Sequence, residues 1–133
     1  MIYRFHVLNL AGLALLGAAY RQGWVQLVLD GDRTHLSVVI FGVFVIGVIS
    51  AALSHRKFAR YIQHSLVMLG LIGTVIGFII ALQGVDPSSV GDIDSVTVTV
   101  AHLISGLGVA MFTTLVGSIG ALWMSALLYV SDG

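Results

Sequence analysis

The chain has 133 residues, 58% of them hydrophobic and 9% charged, with a mean hydropathy of +1.04 and a formal net charge of zero. Soluble domains carry about a quarter charged residues, so this composition describes an integral membrane protein forming one compact unit over residues 1–133. Zero net charge leaves no electrostatic footprint for nucleic acid, and the absence of cysteine excludes disulfides, thiolate metal sites and haem attachment through cysteine.

The first apolar stretch covers residues 2–20 and either stops there or continues past Arg21 to residue 29. Arg4 and His6 precede VLNLAGLALLGAA, a pattern shared with secretory leaders. We read it as a retained first helix. A polar loop at 30–35 carries Asp30, Asp32 and Arg33, and a second apolar stretch follows over 36–53. The segment 54–63 contains SHRKFAR and reads as a loop. Residues 64–82 form the third stretch, 83–95 a loop with the sole proline, Pro87, and 96–130 a fourth stretch. About 20 helical residues cross a bilayer core. The second and third stretches therefore just fit, whereas the fourth is long enough to tilt or project. These stretches lack proline, which favours helices over a barrel.

Charge then orients the bundle. Arg56, Lys57 and Arg60 place 54–63 in the cytoplasm with both termini, and the loops at 30–35 and 83–95 outside. In the outer loop, Asp92 or Asp94 is suited to capping the long fourth helix.

The third stretch contains LGLIGTVIGFIIAL, in which positions 70, 73, 74, 77 and 81 share one helical face. Gly70, Gly73 and Gly77 make that face almost bare, with Thr74 as its one hydroxyl. Small-residue stripes let helices approach closely in lipid. The fourth stretch repeats the theme with Gly106, Ala110, Thr113, Thr114, Gly117, Ser118 and Gly120. Thr114, Ser118, Ala121 and Ser125 form a small polar face. Thr113 lies about 100° away, beside the Gly106, Ala110, Gly117 and Gly120 face. The Gly/Thr patterning of the two stretches is the only internal echo, too weak to define a repeat. A buried helical hydroxyl commonly bonds its own i−4 carbonyl, which is Gly70 for Thr74 and Ala110 for Thr114.

All six acidic residues are aspartates in loops or at the C-terminus, so no predicted span holds a carboxylate. Proton-coupled membrane proteins usually keep one there; any such group must come from a partner. His64 and His102 sit near opposite helix ends, His102 being a candidate relay, while His6, His35 and His55 read as interface residues. No metal cage, nucleophile with its base, or phosphate loop is visible, so the chain is not read as an enzyme and no cofactor is expected.

Two segments together resemble the last two transmembrane helices of the MotA/TolQ/ExbB proton-channel family. The third stretch matches its G-L-x-G-T-V-x-G pattern through Gly70, Leu71, Gly73, Thr74, Val75 and Gly77. The fourth is similar to its G-x-x-x-A-x-x-x-T-x-x-G pattern through Gly106, Ala110, Thr114 and Gly117. The resemblance covers about the second half of the chain. It implies an all-α membrane protein of four transmembrane helices, assembled as a homopentameric ring in the bacterial inner membrane. The third and fourth helices would face two copies of a single-span, MotB/TolR/ExbD-like partner bearing an intramembrane aspartate. The transported ion would be the proton, with sodium as the alternative. Carried over by position, Thr74 and Thr114 face that aspartate, with Thr113 and Ser118 as secondary candidates; Gly70, Gly73, Gly77, Gly106, Ala110, Gly117 and Gly120 pack the helices. Val109 stands where many relatives carry a glutamate, and Arg56, Lys57 and Arg60 offer little to push a flagellar rotor. A minimal ion-driven motor fits better. The alternatives are a small four-helix transporter or a holin-like pore-forming bundle.

Overall fold

Each apolar stretch is helical, and the helices are cut where the sequence supplies a reason. In this computed structural model the described residues are 2–31, 34–53, 55–85, 87–89 and 91–132; Met1, Asp32, Arg33, Ser54, Asp86, Val90 and Gly133 lie outside them. Helix α1 spans Ile2–Arg21 and α2 spans Trp24–Gly31. Gly23 divides them: its φ of 79° is left-handed, its amide donates to the Tyr20 carbonyl, and its own carbonyl accepts the Leu27 amide. The first helix thus ends within a residue of the shorter expected bound, 20, and the residues up to 29 belong to a separate short helix rather than to a continuous one. Helix α3 spans Leu36–Ala52 and is entered through His35, whose φ of 54° is also left-handed and whose carbonyl accepts the Val38 and Val39 amides.

Helix α4 spans Arg56–Gln83, so it starts two turns before the expected His64 and takes most of the 54–63 loop with it. The reason lies on both faces of the added turns. Ala59 and Ile62 are buried in the core cluster, while Arg56 and Arg60 reach Asp132 at 2.7 and 2.8 Å. Arginines at a helix N-terminus and an aspartate at a helix C-terminus each oppose the local dipole. Antiparallel packing brings the two misfits together, and Arg56 also donates to the Ser131 carbonyl at 2.8 Å, satisfying a terminal acceptor. After a 3₁₀ turn at Pro87–Ser89, helix α5 runs over Ile93–Asp132. Asp92 stands just before it: its carbonyl accepts the Val96 amide and its carboxylate accepts the Ser95 hydroxyl at 3.2 Å.

The α4–α5 hairpin is the dominant contact, and α3 packs across both helices. Near the Asp132 end these three helices enclose Ile40, Phe44, Ile62, Leu66, Met124 and Leu127. Helix α1 leans on α5, where the Trp123 indole occupies the space a side chain on Gly12 would need; the same ring meets Phe44 edge-on at 5.3 Å. At 1.5 Å per residue, α4 and α5 measure about 42 and 60 Å against a hydrocarbon core of about 30 Å. Among the described residues these two helices are long and apolar enough to cross a membrane, with α3, at 17 residues, an apolar helix just short of them. The fold is that of an all-helical membrane protein.

Candidate functional site

The seam between α4 and α5 is built from residues too small to hold the backbones apart. Gly70, Gly73, Gly77 and Ala81 are buried on α4; Gly106, Ala110, Thr113 and Gly117 answer them on α5, while Gly120 is buried against the Phe44 and Leu66 side chains. A Cβ on Gly117 would lie 2.7 Å from the Leu66 carbonyl oxygen, and one on Gly106 would lie 2.5 Å from that of Gly77. These obstacles are backbone atoms, which cannot swing away. Only glycine permits this approach, and in lipid the resulting dispersion contact is what binds one helix to the other.

At the centre of the seam the hydroxyls of Thr74 and Thr114 hydrogen-bond each other. Thr74 Oγ1 lies 3.1 Å from the Gly70 carbonyl of its own helix and 3.4 Å from the Ala110 carbonyl across the seam. Thr114 Oγ1 lies 3.3 Å from the Gly70 carbonyl. The back-bond expected for Thr74 is present. Thr114 instead reaches across to the partner helix, and Ala110, the carbonyl it was expected to use, is approached by Thr74. Four oxygens, two hydroxyl and two carbonyl, therefore converge in a half-buried spot on a helix pair with no carboxylate in its spans.

The arrangement is reciprocal. Thr74 and Thr114 are 40 positions apart, as are Gly70 and Ala110, Gly73 and Thr113, and Gly77 and Gly117. Exchanging each residue for its counterpart maps the Gly77–Ala110 contact onto the Gly117–Gly70 contact, and the Thr74–Ala110 approach onto the Thr114–Gly70 approach. The two helices are thus related by a local two-fold axis through the threonine pair. The faint Gly/Thr echo in the sequence is the trace of that symmetry.

Thr113 and Ser118 occupy different surroundings. Thr113 is fully buried, its hydroxyl donates to the Val109 carbonyl at 2.7 Å, and its side chain fills the space over Gly73. Ser118 is exposed, as is Ser125, whereas Thr114 is half-buried and Ala121 buried, so the polar face read from Thr114 to Ser125 does not face one environment. His64 and His102 are exposed and lie outside the cluster; His102 packs over Gly84 at the far end of the hairpin. The sequence gives no sign of the cross-seam carbonyls, which depend on helix register. The Arg56–Arg60–Asp132 clasp left a fainter one, two arginines at i and i+4.

A family model described as the MotA/TolQ/ExbB proton channel family matches residues 48–131, more than half of the chain. No match is found among curated proteins, and none among solved structures.

Proposed function

Because the chain belongs to the MotA/TolQ/ExbB proton channel family, we propose that it is the ring subunit of an ion-driven motor or energiser complex of the bacterial inner membrane. In this reading five copies surround two single-span partner helices, each bearing an aspartate. α4 and α5 line the central passage, while α1 and α3 form the lipid-facing layer. Four spans cross the membrane, with both termini in the cytoplasm.

One observation carries the reading: a coupled hydroxyl pair, Thr74 and Thr114, in a hairpin whose predicted spans, 64–82 and 96–130, hold no carboxylate. The pair is fitted to a carboxyl group that changes protonation. Each hydroxyl supplies one proton and two lone pairs. One proton is used between the threonines, and the other is held by a carbonyl or turned outward. Turned outward, it donates to a partner carboxylate; with the outward lone pairs unoccupied, the same oxygens accept from the protonated acid. Neither state leaves a fixed charge on the ring to trap the ion. A charged carboxylate is costly in lipid, so protonation from the outer side frees the partner helix to leave one subunit and meet the next. Ring rotation around the partner follows from repeating that step. The proton is the favoured ion, and sodium is the alternative because hydroxyl and carbonyl oxygens also coordinate it.

The test is Thr74→Val combined with Thr114→Val in the complex with its partner. Loss of ion-driven activity with unchanged assembly is the expected result. Full activity in the double variant would make the threonines packing residues and remove the site from this proposal.

A further inference from the structure

Helix α1 touches α5 at Gly12 and Trp123, and towards the Asp132 end a cavity of about 780 Å³ opens between the two helices. Val7, Ala11 and Val130 give it apolar walls, and Tyr3, Arg4 and Tyr129 stand at its mouth. Leu8, which also borders it, is turned partly toward the core. A space of this size with such walls is poorly suited to water, which needs two to four polar partners per molecule.

The charges at the mouth are unequal. Asp132 borders the cavity, but its two carboxylate oxygens are held by Arg56 and Arg60. Arg4 is exposed and has no ion pair among the described residues. At this end of the molecule Arg4, Arg56, Lys57 and Arg60 face a single acid, Asp132, leaving a local excess of three positive charges among the described residues. Two exposed tyrosines flank Arg4, as aromatic side chains do at headgroup depth.

We propose that this groove holds one anionic phospholipid per subunit, with an acyl chain along Val7, Ala11 and Val130 and its phosphate on Arg4 between Tyr3 and Tyr129. Charge complementarity selects the occupant: an apolar slot inside a bilayer is filled by a chain, and an unpaired guanidinium at its mouth favours a headgroup with net negative charge. The inference needs only that the helices cross a bilayer, so it stands apart from the motor reading.

The experiment is native mass spectrometry of the complex from nanodiscs containing equal amounts of phosphatidylglycerol and phosphatidylcholine with matched chains. Phosphatidylglycerol is expected to be retained preferentially, about one per subunit. Arg4→Gln should lower that retention about fivefold, the equivalent of about 1 kcal/mol for one basic residue at the surface. Lys57→Gln, which removes a cation of the same end that does not line the groove, should leave it within twofold. Ala11→Phe should abolish retention of either lipid while the particle stays monodisperse with native helicity. Equal retention of the two lipids, or equal losses from Arg4→Gln and Lys57→Gln, overturns the proposal. So does an Ala11→Phe variant that changes the subunit count, which would mean that a neighbouring copy fills the groove.

Discussion

The glycine seam makes a demanding prediction at Gly77. A Cβ there meets the Ala110 amide nitrogen, with the Gly106 carbonyl oxygen at 2.6 Å and the Ala110 methyl at 2.7 Å. Relaxed heavy-atom contacts lie at about 3.5–4.0 Å, so Gly77→Ala forces α4 and α5 apart by about 1 Å. Overpacking costs about 1–3 kcal/mol, and the higher helix propensity of alanine returns about 1 kcal/mol. Because backbone atoms obstruct the new methyl, the net loss should lie near the upper end, about 2 kcal/mol, or a melting-temperature drop of roughly 5–10 °C. The same movement acts unevenly on the hydroxyl cluster. The cross-seam approaches, 3.3 and 3.4 Å, pass about 4 Å and cease to be hydrogen bonds. The 3.1 Å bond from Thr74 to Gly70 lies within one helix and survives. Gly77→Ala should therefore lose both stability and ion-driven activity. Gly42→Ala, at an α3 position where a methyl meets nothing within 4 Å, should lose neither. Equal melting temperatures for the two variants, measured in the same detergent, would refute the argument.

Three further outcomes follow from other parts of the molecule. Gly73→Ala collides with the Thr113 side chain, Cβ included, so it should cost about 1–3 kcal/mol alone and be relieved only in part by Thr113→Ala, which removes Oγ1 and Cγ2 but keeps Cβ. A thermal double-mutant cycle reads that coupling directly. Asp132→Asn removes both ion pairs of the Arg56–Arg60 clasp, but these groups are substantially exposed and screened; stability should fall by less than about 1 kcal/mol, and the difference should shrink in high salt. The chain has no cysteine of its own, so single cysteines report topology cleanly: Lys57→Cys should label with an impermeant maleimide from the cytoplasmic side and Gly91→Cys from the outer side. Labelling of both from one side would contradict the proposed orientation.

How far the sequence carried depended on which interactions decided each feature. The buried face of α4 was legible because Gly70, Gly73, Gly77 and Ala81 follow helical spacing, and spacing survives whatever the helix packs on. Separation of Thr113 from Thr114 was legible for the same reason, since adjacent helical residues point about 100° apart. The start of α4 was not. Charges in SHRKFAR look like a loop until Asp132, 72 residues beyond Arg60, arrives to pair with them. The break at Gly23 was hidden because glycine is common within apolar helices here, and only its left-handed φ distinguishes it from the others. The destination of the Thr114 hydroxyl was beyond reach as well. Local chemistry points it to Ala110, and the choice of Gly70 is made by a helix register that glycines permit but do not announce.

That crossed pair separates two explanations of the same residues. If Thr74 and Thr114 serve ion transfer, the oxygen matters and the methyl does not; if they serve packing, shape matters and the oxygen is incidental. Valine keeps threonine's branched shape and removes the oxygen, whereas serine keeps the oxygen and removes a methyl. The Gly70 and Ala110 carbonyls sit within helices whose own amide ladder supplies an acceptor's first partner, so losing both hydroxyls leaves no buried donor stranded. Replacing both partners of a hydrogen bond by apolar groups of the same shape is close to neutral for stability. The Thr74→Val, Thr114→Val protein should therefore melt within about 1 kcal/mol of the parent and assemble normally, yet lose ion-driven flux by about a hundredfold or more. Thr74→Ser with Thr114→Ser should open a small void at the seam, costing about 1 kcal/mol per methyl, yet keep flux within about fivefold. Packing predicts the opposite order, an active valine pair and an impaired serine pair. Measuring flux and melting temperature on both double variants in one preparation decides between them, because no single structural role can preserve activity in the serine pair and abolish it in the more stable valine pair.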